Sequence, residues 1–228
     1  MCGIAGFYNI NGGYSSESPH WISILNDMNR TQFHRGPDGN GTYLCDCCGL
    51  AHVRLAIIDL VNGSQPLVKS HGGLKYAISY NGEIYNMKEL RSALKAEGAT
   101  FDTASDTEVI LEGYMRHGSD FIKCLNGIFA AAILDENHNR LILFRDRLGV
   151  KPLFYTHYEN TLVFASEIKG IFAYPGIPHI IDRDGLCEVF ALGPARTHGR
   201  GVFKNIFEVM PGPVSYTHLR AHETPEHL

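Results

Sequence analysis

Met1-Cys2-Gly3-Ile4-Ala5-Gly6-Phe7-Tyr8 opens the chain, and the other segments take their meaning from it. A cysteine followed by small and apolar residues predicts a buried first strand. Methionine ahead of a small residue is a substrate for aminopeptidase removal. Loss of Met1 would leave Cys2 with a free α-amine and a thiol on one residue. Their ordinary pKa values lie near about 8 and about 8.5, so one residue would carry a nucleophile and a base for it. The competing expectation is that Cys2 is only a strand residue, since free cysteine is among the most buried residue types. Taken alone, the octapeptide favours the second reading.

The bulk properties narrow the field. The chain has 228 residues, is 44% hydrophobic and 19% charged, and carries a formal charge of -4. That is the composition of a soluble globular protein, without a basic footprint for nucleic acid. No apolar run approaches the roughly 20 residues that span a bilayer. The N-terminus lacks a basic segment ahead of an apolar core, so it is not a signal peptide and the cytoplasm is the expected compartment. Six cysteines, Cys2, Cys45, Cys47, Cys48, Cys124 and Cys187, are scattered unlike a disulfide framework. The Cys45-Asp46-Cys47-Cys48 cluster has no second ligand pair of the kind zinc requires, so it predicts reduced thiols at a hairpin and no metal.

Helical spacing of Trp21, Ile22, Ile24, Leu25 and Met28 predicts a helix over residues 19 to 31. His34-Arg35-Gly36-Pro37-Asp38-Gly39 follows, a loop that packs a histidine, an arginine and an acid together. Strands are expected at Thr42–Cys45, Leu50–Leu55, Ala56–Asp59 and Leu74–Tyr80. Asn81-Gly82-Glu83 then predicts a tight turn able to present a backbone N–H beside the Asn amide. Met87, Leu90 and Leu94 mark a helix closed by Gly98 at C′. Ser105-Asp106-Thr107-Glu108 has the form of a capping box, where Asp106 also suits the macrodipole. Beyond Gly127 strands dominate, at Ile128–Leu134, Arg140–Phe144, Phe154–Thr156 and Thr161–Ala165. A short helix starts at Ser166, and Asp182 caps a last helix through Leu192. Many strands with clustered helices predict an α+β fold of two stacked, mainly antiparallel sheets. From Pro213 the sequence loses periodicity and resembles a translated sequencing adapter. The expected organisation is one domain over 2–212 and a non-native tail over 213–228.

Seven segments carry a family resemblance: Cys2–Gly6, His34–Asp38, His52–Asp59, Gln65–Leu67, Tyr80–Asn86, Ser105–Glu108 and Arg145–Leu153. In this order and spacing the chain resembles the class II, N-terminal nucleophile glutamine amidotransferase domain of glutamine-hydrolysing asparagine synthetases. The resemblance implies an αββα sandwich and hydrolysis of glutamine to glutamate and ammonia through a thioester on Cys2. It implies Asn81 and Gly82 as oxyanion donors. It also implies substrate contacts from Arg54, Ile57, Ile58, Glu83 and Asp106. Bidentate Arg54 suits the glutamine carboxylate, and Asp106 suits its ammonium. His34–Asp38 is left as a lid or a structural loop, His52 as a packed side chain, and Arg145–Leu153 as structural or as a contact with a second domain.

Family members continue into an ATP-pyrophosphatase synthetase domain with a Ser-Gly-Gly-x-Asp-Ser loop, which this sequence lacks. The partners implied are therefore glutamine, that missing C-terminal domain and, in the assembled protein, a homodimer, with neither nucleic acid nor membrane. No cofactor is expected for this domain, and ATP and magnesium belong to the missing one. Two other readings stay open: delivery of ammonia to a different acceptor, and a non-catalytic partner module of the same fold.

Overall fold

The computed structural model describes residues 1–56, 59, 63–193, 197, 199, 201–211 and 215–216. One sheet is built from β1 (Gly3–Tyr8), β2 (Gly39–Leu44), β3 (Cys48–Arg54), β8 (Phe154–Tyr158), β9 (Thr161–Ala165) and β10 (Ile206–Glu208), in the order β10-β8-β9-β1-β3-β2. The other holds β4 (Leu67–His71), β5 (Leu74–Ile84), β6 (Gly127–Asp135), β7 (Arg140–Arg145) and the two-residue β11 (Ser215–Tyr216), in the order β11-β7-β6-β5-β4. Every strand pairing in both sheets is antiparallel.

Strand alternation explains the layering, because successive side chains point to opposite faces. In β6, Ala131 and Ile133 pack outward with Val109, Ile110 and Tyr114 of α3 (Asp106–His117), under α2 (Met87–Ala96) and α4 (Asp120–Lys123). Ala130, Ala132 and Leu134 face inward, against Ile4 and Leu50 of the opposite sheet. The other odd-even set of β1 and β3, with Ala5, Phe7 and Ala51, packs on α1 (Ser18–Thr31) and α5 (Ile168–Phe172). The result is helix, sheet, sheet, helix, with three apolar cores between the layers. A sixth helix, α6 (Arg183–Leu192), is capped by Asp182, whose carboxylate accepts the Gly185 N–H at 3.1 Å. Among the described residues no helix is long and apolar enough to cross a membrane.

Local signals performed well at helix ends. Gly98 takes φ +84°, and the Ala99 N–H returns to the Leu94 carbonyl at 2.9 Å, closing α2. Ser105 caps α3 by accepting the Glu108 N–H at 3.3 Å. Only half the capping box forms. The Glu108 carboxylate turns away from Ser105 to Lys69 at 2.8 Å and to the N–H groups of Asp102 and Thr103.

The expected turn at Asn81-Gly82-Glu83 does not occur. These residues lie inside β5, paired with Ala130, Phe129 and Ile128 of β6, and the chain turns only at Tyr85-Asn86. Glycine at 82 serves close approach: a Cβ there would meet the Ile128 carbonyl at 2.3 Å and the Phe129 Cβ at 2.5 Å. Of the strand expected at Ala56–Asp59, Ala56 and Asp59 lie outside any strand, while Ile57 and Ile58 lie outside the described residues.

Candidate active site

Cys2 stands immediately before β1, where the two sheets open into a cavity of about 140 Å³. Its sulfur receives the Leu55 N–H at 3.4 Å from the end of β3. Its carbonyl accepts Arg35 Nε at 2.9 Å, and Arg35 Nη1 reaches Glu167 Oε1 at 2.9 Å, just ahead of α5. Glu167 also holds His34 at 2.9 Å and Lys169 at 3.0 Å. Burial pushes the Glu167 carboxyl up, but the bonds from Arg35, Lys169 and His34 outweigh it and hold it below the usual carboxylate range. The nucleophile candidate is thus clamped by its backbone on one side and its sulfur on the other.

The facing wall is β5. Phe129 exchanges its N–H and C=O with Asp146, on the far side of β6 from β5. Gly82, directly opposite Phe129, therefore sits at a non-hydrogen-bonded position and directs its own N–H and C=O away from β6. They point to the edge where β4 has ended, since Leu67 pairs only as far as Ile78. The neighbouring N–H groups on that edge are taken: Tyr80 N–H by Gln65 Oε1 at 2.7 Å, and Ile84 N–H by Asp106 Oδ2 at 3.4 Å. Gly82 lies between them, lining the cavity. Asn81 projects from the inner face, only 2% exposed, and its Nδ2 has no hydrogen-bond partner. An unpaired buried donor costs about 1–3 kcal/mol, a deficit that a ligand oxygen would remove.

Arg54 ends β3, lines the cavity and donates to the carbonyl of Asp59. Asp59 itself has φ +47°, accepts the Gly63 N–H at 3.0 Å on the same carbonyl, and binds the Ala104 N–H at 2.9 Å through its carboxylate. A Cβ at Gly63 would stand 2.8 Å from the Asp59 backbone carbonyl and 2.5 Å from Arg54 Nη2, so a side chain there would disturb this contact.

Asp106 opens α3 and is 5% exposed. It accepts Tyr80 Oη at 2.9 Å and its own neighbour's N–H, Thr107, at 2.9 Å. Burial raises its pKa above the usual value, although these bonds pull the other way. Exposed Glu83 completes the set on the cavity wall.

Cys2, Arg54, Asn81, Gly82, Glu83 and Asp106, which come from four separate segments, therefore line one cavity. Ile57 and Ile58 lie outside the described residues. Sequence reasoning missed Tyr80, Gln65 and Thr107, which hold the wall together; Gln65 Nε2 donates to Thr107 Oγ1 at 3.2 Å. All three sit in segments that carried the resemblance, so the signal was present without a role attached. It also missed Lys151, placed at the cavity by the Arg145–Leu153 loop.

That loop is built on Asp146, whose carboxylate accepts N–H groups from Phe129, Leu148, Val150 and Lys151 at 3.0–3.2 Å. The His34–Asp38 segment is a brace for Arg54. Asp38 N–H bonds the Arg54 carbonyl at 3.0 Å, and a Cβ at Gly36 would strike the Arg54 backbone at 2.6 Å. His52 is packed, as expected: it is fully buried, and its Nδ1 meets Ser79 Oγ at 3.2 Å. Burial, helped by the charge of Arg54, pushes its pKa down to about 3, so the ring is neutral near pH 7.

A family model described as the glutamine amidotransferase domain matches residues 1–227. Asparagine synthetase [glutamine-hydrolyzing] 3 of Bacillus subtilis is 44% identical over 92% of the chain, which covers 34% of that protein. A putative asparagine synthetase [glutamine-hydrolyzing] 2 of Methanocaldococcus jannaschii is 37% identical over 92% of the chain and 42% of its own length. The chain thus spans about a quarter to a third of the length of the Bacillus subtilis relatives it matches. Among solved structures, the glutamine phosphoribosylpyrophosphate amidotransferase of B. subtilis superposes with a TM-score of 0.63 at 22% identity. It covers 75% of this chain and 43% of that one, a likeness of fold. With the first cysteine, the two-sheet sandwich and the full-length family match in agreement, the chain belongs to the glutamine amidotransferase domain family.

Proposed function

We propose that these residues form the glutamine-hydrolysing half of an asparagine synthetase. Removal of Met1, which in this structure acylates the Cys2 nitrogen, frees the amine that serves as base. The Cys2 sulfur attacks the side-chain amide carbon of glutamine, and its proton passes through the α-amine to the departing nitrogen. The negative oxygen of the tetrahedral intermediate is received by Asn81 Nδ2 and the Gly82 N–H. Such preorganised donors are worth about 2.7–4 kcal/mol each in comparable sites. Ammonia leaves, water attacks the Cys2 thioester, and glutamate is released. Arg54 pairs with the substrate carboxylate. Asp106, held by Tyr80 and the Thr107 and Ile84 N–H groups, pairs with its ammonium, assisted by Glu83.

The observation that carries this reading is the unpartnered amide of Asn81 on the cavity that Cys2 also lines. Ammonia would pass to an ATP- and magnesium-dependent site in the remaining two-thirds of the longer protein, which would amidate aspartate. The decisive assay is glutamate release from glutamine by the processed chain, with Met1 removal verified by intact mass. A folded, processed chain that releases no glutamate overturns the reading. A second reading, ammonia for another acceptor, draws on amidase chry2 of Gibberella zeae, 34% identical over 93% of the chain and 32% of its own length. Acceptor competition in the full-length protein, aspartate against other carboxylates, separates the two.

A further inference from the structure

The cysteine cluster at the far end of β1 is unused by the reaction above, and its geometry is specific. Cys45 and Cys47 flank the tip of the β2–β3 hairpin with their sulfurs 3.7 Å apart, the Cys47 thiol facing the Cys45 sulfur. The tip cannot splay. Cys45 N–H bonds the Cys48 carbonyl at 2.9 Å, Asn9 N–H bonds the Cys47 carbonyl at 2.8 Å, and Tyr14 N–H bonds the Asp46 carbonyl at 3.0 Å. Cys45 is partly buried, Cys47 is 8% exposed, and Cys48 points into the inter-sheet core with no exposure. Among the described residues no group of three or more His, Cys, Asp or Glu side chains is placed to hold a metal. Two sulfurs in contact, one reachable and one behind it, form an attacking and resolving pair.

We propose that Cys45 and Cys47 form a reversible dithiol–disulfide site that takes low-molecular-weight disulfides such as oxidised glutathione. The Cys45 thiolate attacks one sulfur of the oxidant, forming a mixed disulfide and expelling one glutathione thiolate. The Cys47 sulfur then attacks Cys45, releasing the second glutathione. The protein loses two protons and two electrons, and the oxidant becomes two thiols. The hydrogen bond from Cys47 holds the Cys45 thiol below the usual cysteine range, outweighing burial. The same bond, with burial, raises Cys47. Once Cys45 is in the mixed disulfide its charge is gone and the first of those causes disappears, so the resolving thiol is released at the step that needs it. The pair lies at the opposite end of β1 from Cys2, roughly 20 Å away at strand rise.

The test is thiol mapping of the intact, folded chain incubated with oxidised glutathione, quenched with acid, alkylated after denaturation and cleaved with trypsin. The fragment 36–54 holds Cys45, Cys47 and Cys48. It should carry one alkyl group, at Cys48, and be about 2 Da lighter than the same peptide with one alkyl group and two free thiols, and it should take up three alkyl groups after dithiothreitol. Cys47→Ser should stop at a glutathione adduct on Cys45, while Cys48→Ser should still close. A wild type that keeps the adduct on Cys45 overturns the proposal. So does a crosslink that survives Cys47→Ser, or an unreacted hairpin when exposed Cys124 has been fully modified. The wild-type map decides even if a variant fails to fold.

Discussion

The two ends of β1 lie on the same strand between the same neighbours, yet one is sealed and the other is open. At the Tyr8 end the gap between sheets is closed by side chains that reach across it: Tyr8 donates to the Asn139 carbonyl and Tyr43 to Glu136. Leu134, Leu141, Cys48 and Leu162 fill the space beneath. At the Cys2 end the inward positions are Arg54, Asn81 and Cys2, and β4 stops at the level of Ile78. Its early end strips β5 of a neighbour over residues 80–84. Two of the three N–H groups exposed by that loss are re-covered by side chains, Gln65 and Asp106, and Gly82 stays at the cavity. The sandwich therefore acquires a site by omitting ladder bonds from one edge, at a cost the closed end does not bear.

If that contrast is functional, the largest effect belongs to the nucleophile. Cys2→Ala should reduce glutamate release to background with the melting temperature unchanged within a few degrees. The alanine variants of Cys45 and Cys47 should retain activity. Loss of activity in either hairpin variant, with folding intact, would break the asymmetry between the ends.

Asn81→Ala follows. A single oxyanion donor is worth about 10²–10³-fold in kcat, so kcat should fall by that order with KM nearly unchanged. Its stability signature is the sharper measurement. Removing a buried donor with no partner should leave thermal stability equal or higher, whereas a structural Asn would lower it. A destabilised variant with normal kcat would return Asn81 to the scaffold.

How much of this end could be read from sequence is instructive at Asn81 and Gly82. The sequence named both residues and their pairing with Cys2, Arg54 and Asp106, but placed them in a turn, since Asn-Gly is a strong local turn signal. Pairing with β6, some fifty positions away, overrides that preference, and the glycine answers to the Ile128 carbonyl instead. Periodicity and caps located α1, α2, α3 and α6, because those features are local. Arg35 was left unassigned because its partners, Cys2 and Glu167, are separated from it by 33 and 132 positions. Tyr80 looked like one more apolar strand residue until its hydroxyl met Asp106.

Asp106→Asn should act mainly on KM. Charge-assisted hydrogen bonds contribute about 1.5–3 kcal/mol, which corresponds to a 10- to 150-fold rise in KM for glutamine. The wild-type pH dependence carries a sign. Burial raises the Asp106 pKa, so KM should climb as pH falls through a value above the ordinary carboxylate range, and the Asn variant should lack that limb. An identical limb in both proteins would remove Asp106 from the substrate.

His52 offers the smallest effect and the finest discrimination, because it lies two positions from Arg54 on the inner face of β3 yet belongs to the closed core. Its ring is neutral in the folded chain, with a pKa pushed down to about 3 by burial, whereas an unfolded histidine titrates near about 6.5. Below that value the unfolded state binds a proton the folded state refuses. Folding stability from this residue is thus full above about 6.5 and is lost as pH falls from there towards 3. His52→Gln should flatten that part of the stability curve in denaturant titrations at pH 7 and pH 5, and leave the pH profile of kcat/KM unmoved. A neutral ring bonded to Ser79 holds the sheets together without exchanging protons with substrate. If instead the substitution shifts a limb of the activity profile near neutrality, His52 titrates with the reaction, and the open end reaches one residue deeper between the sheets.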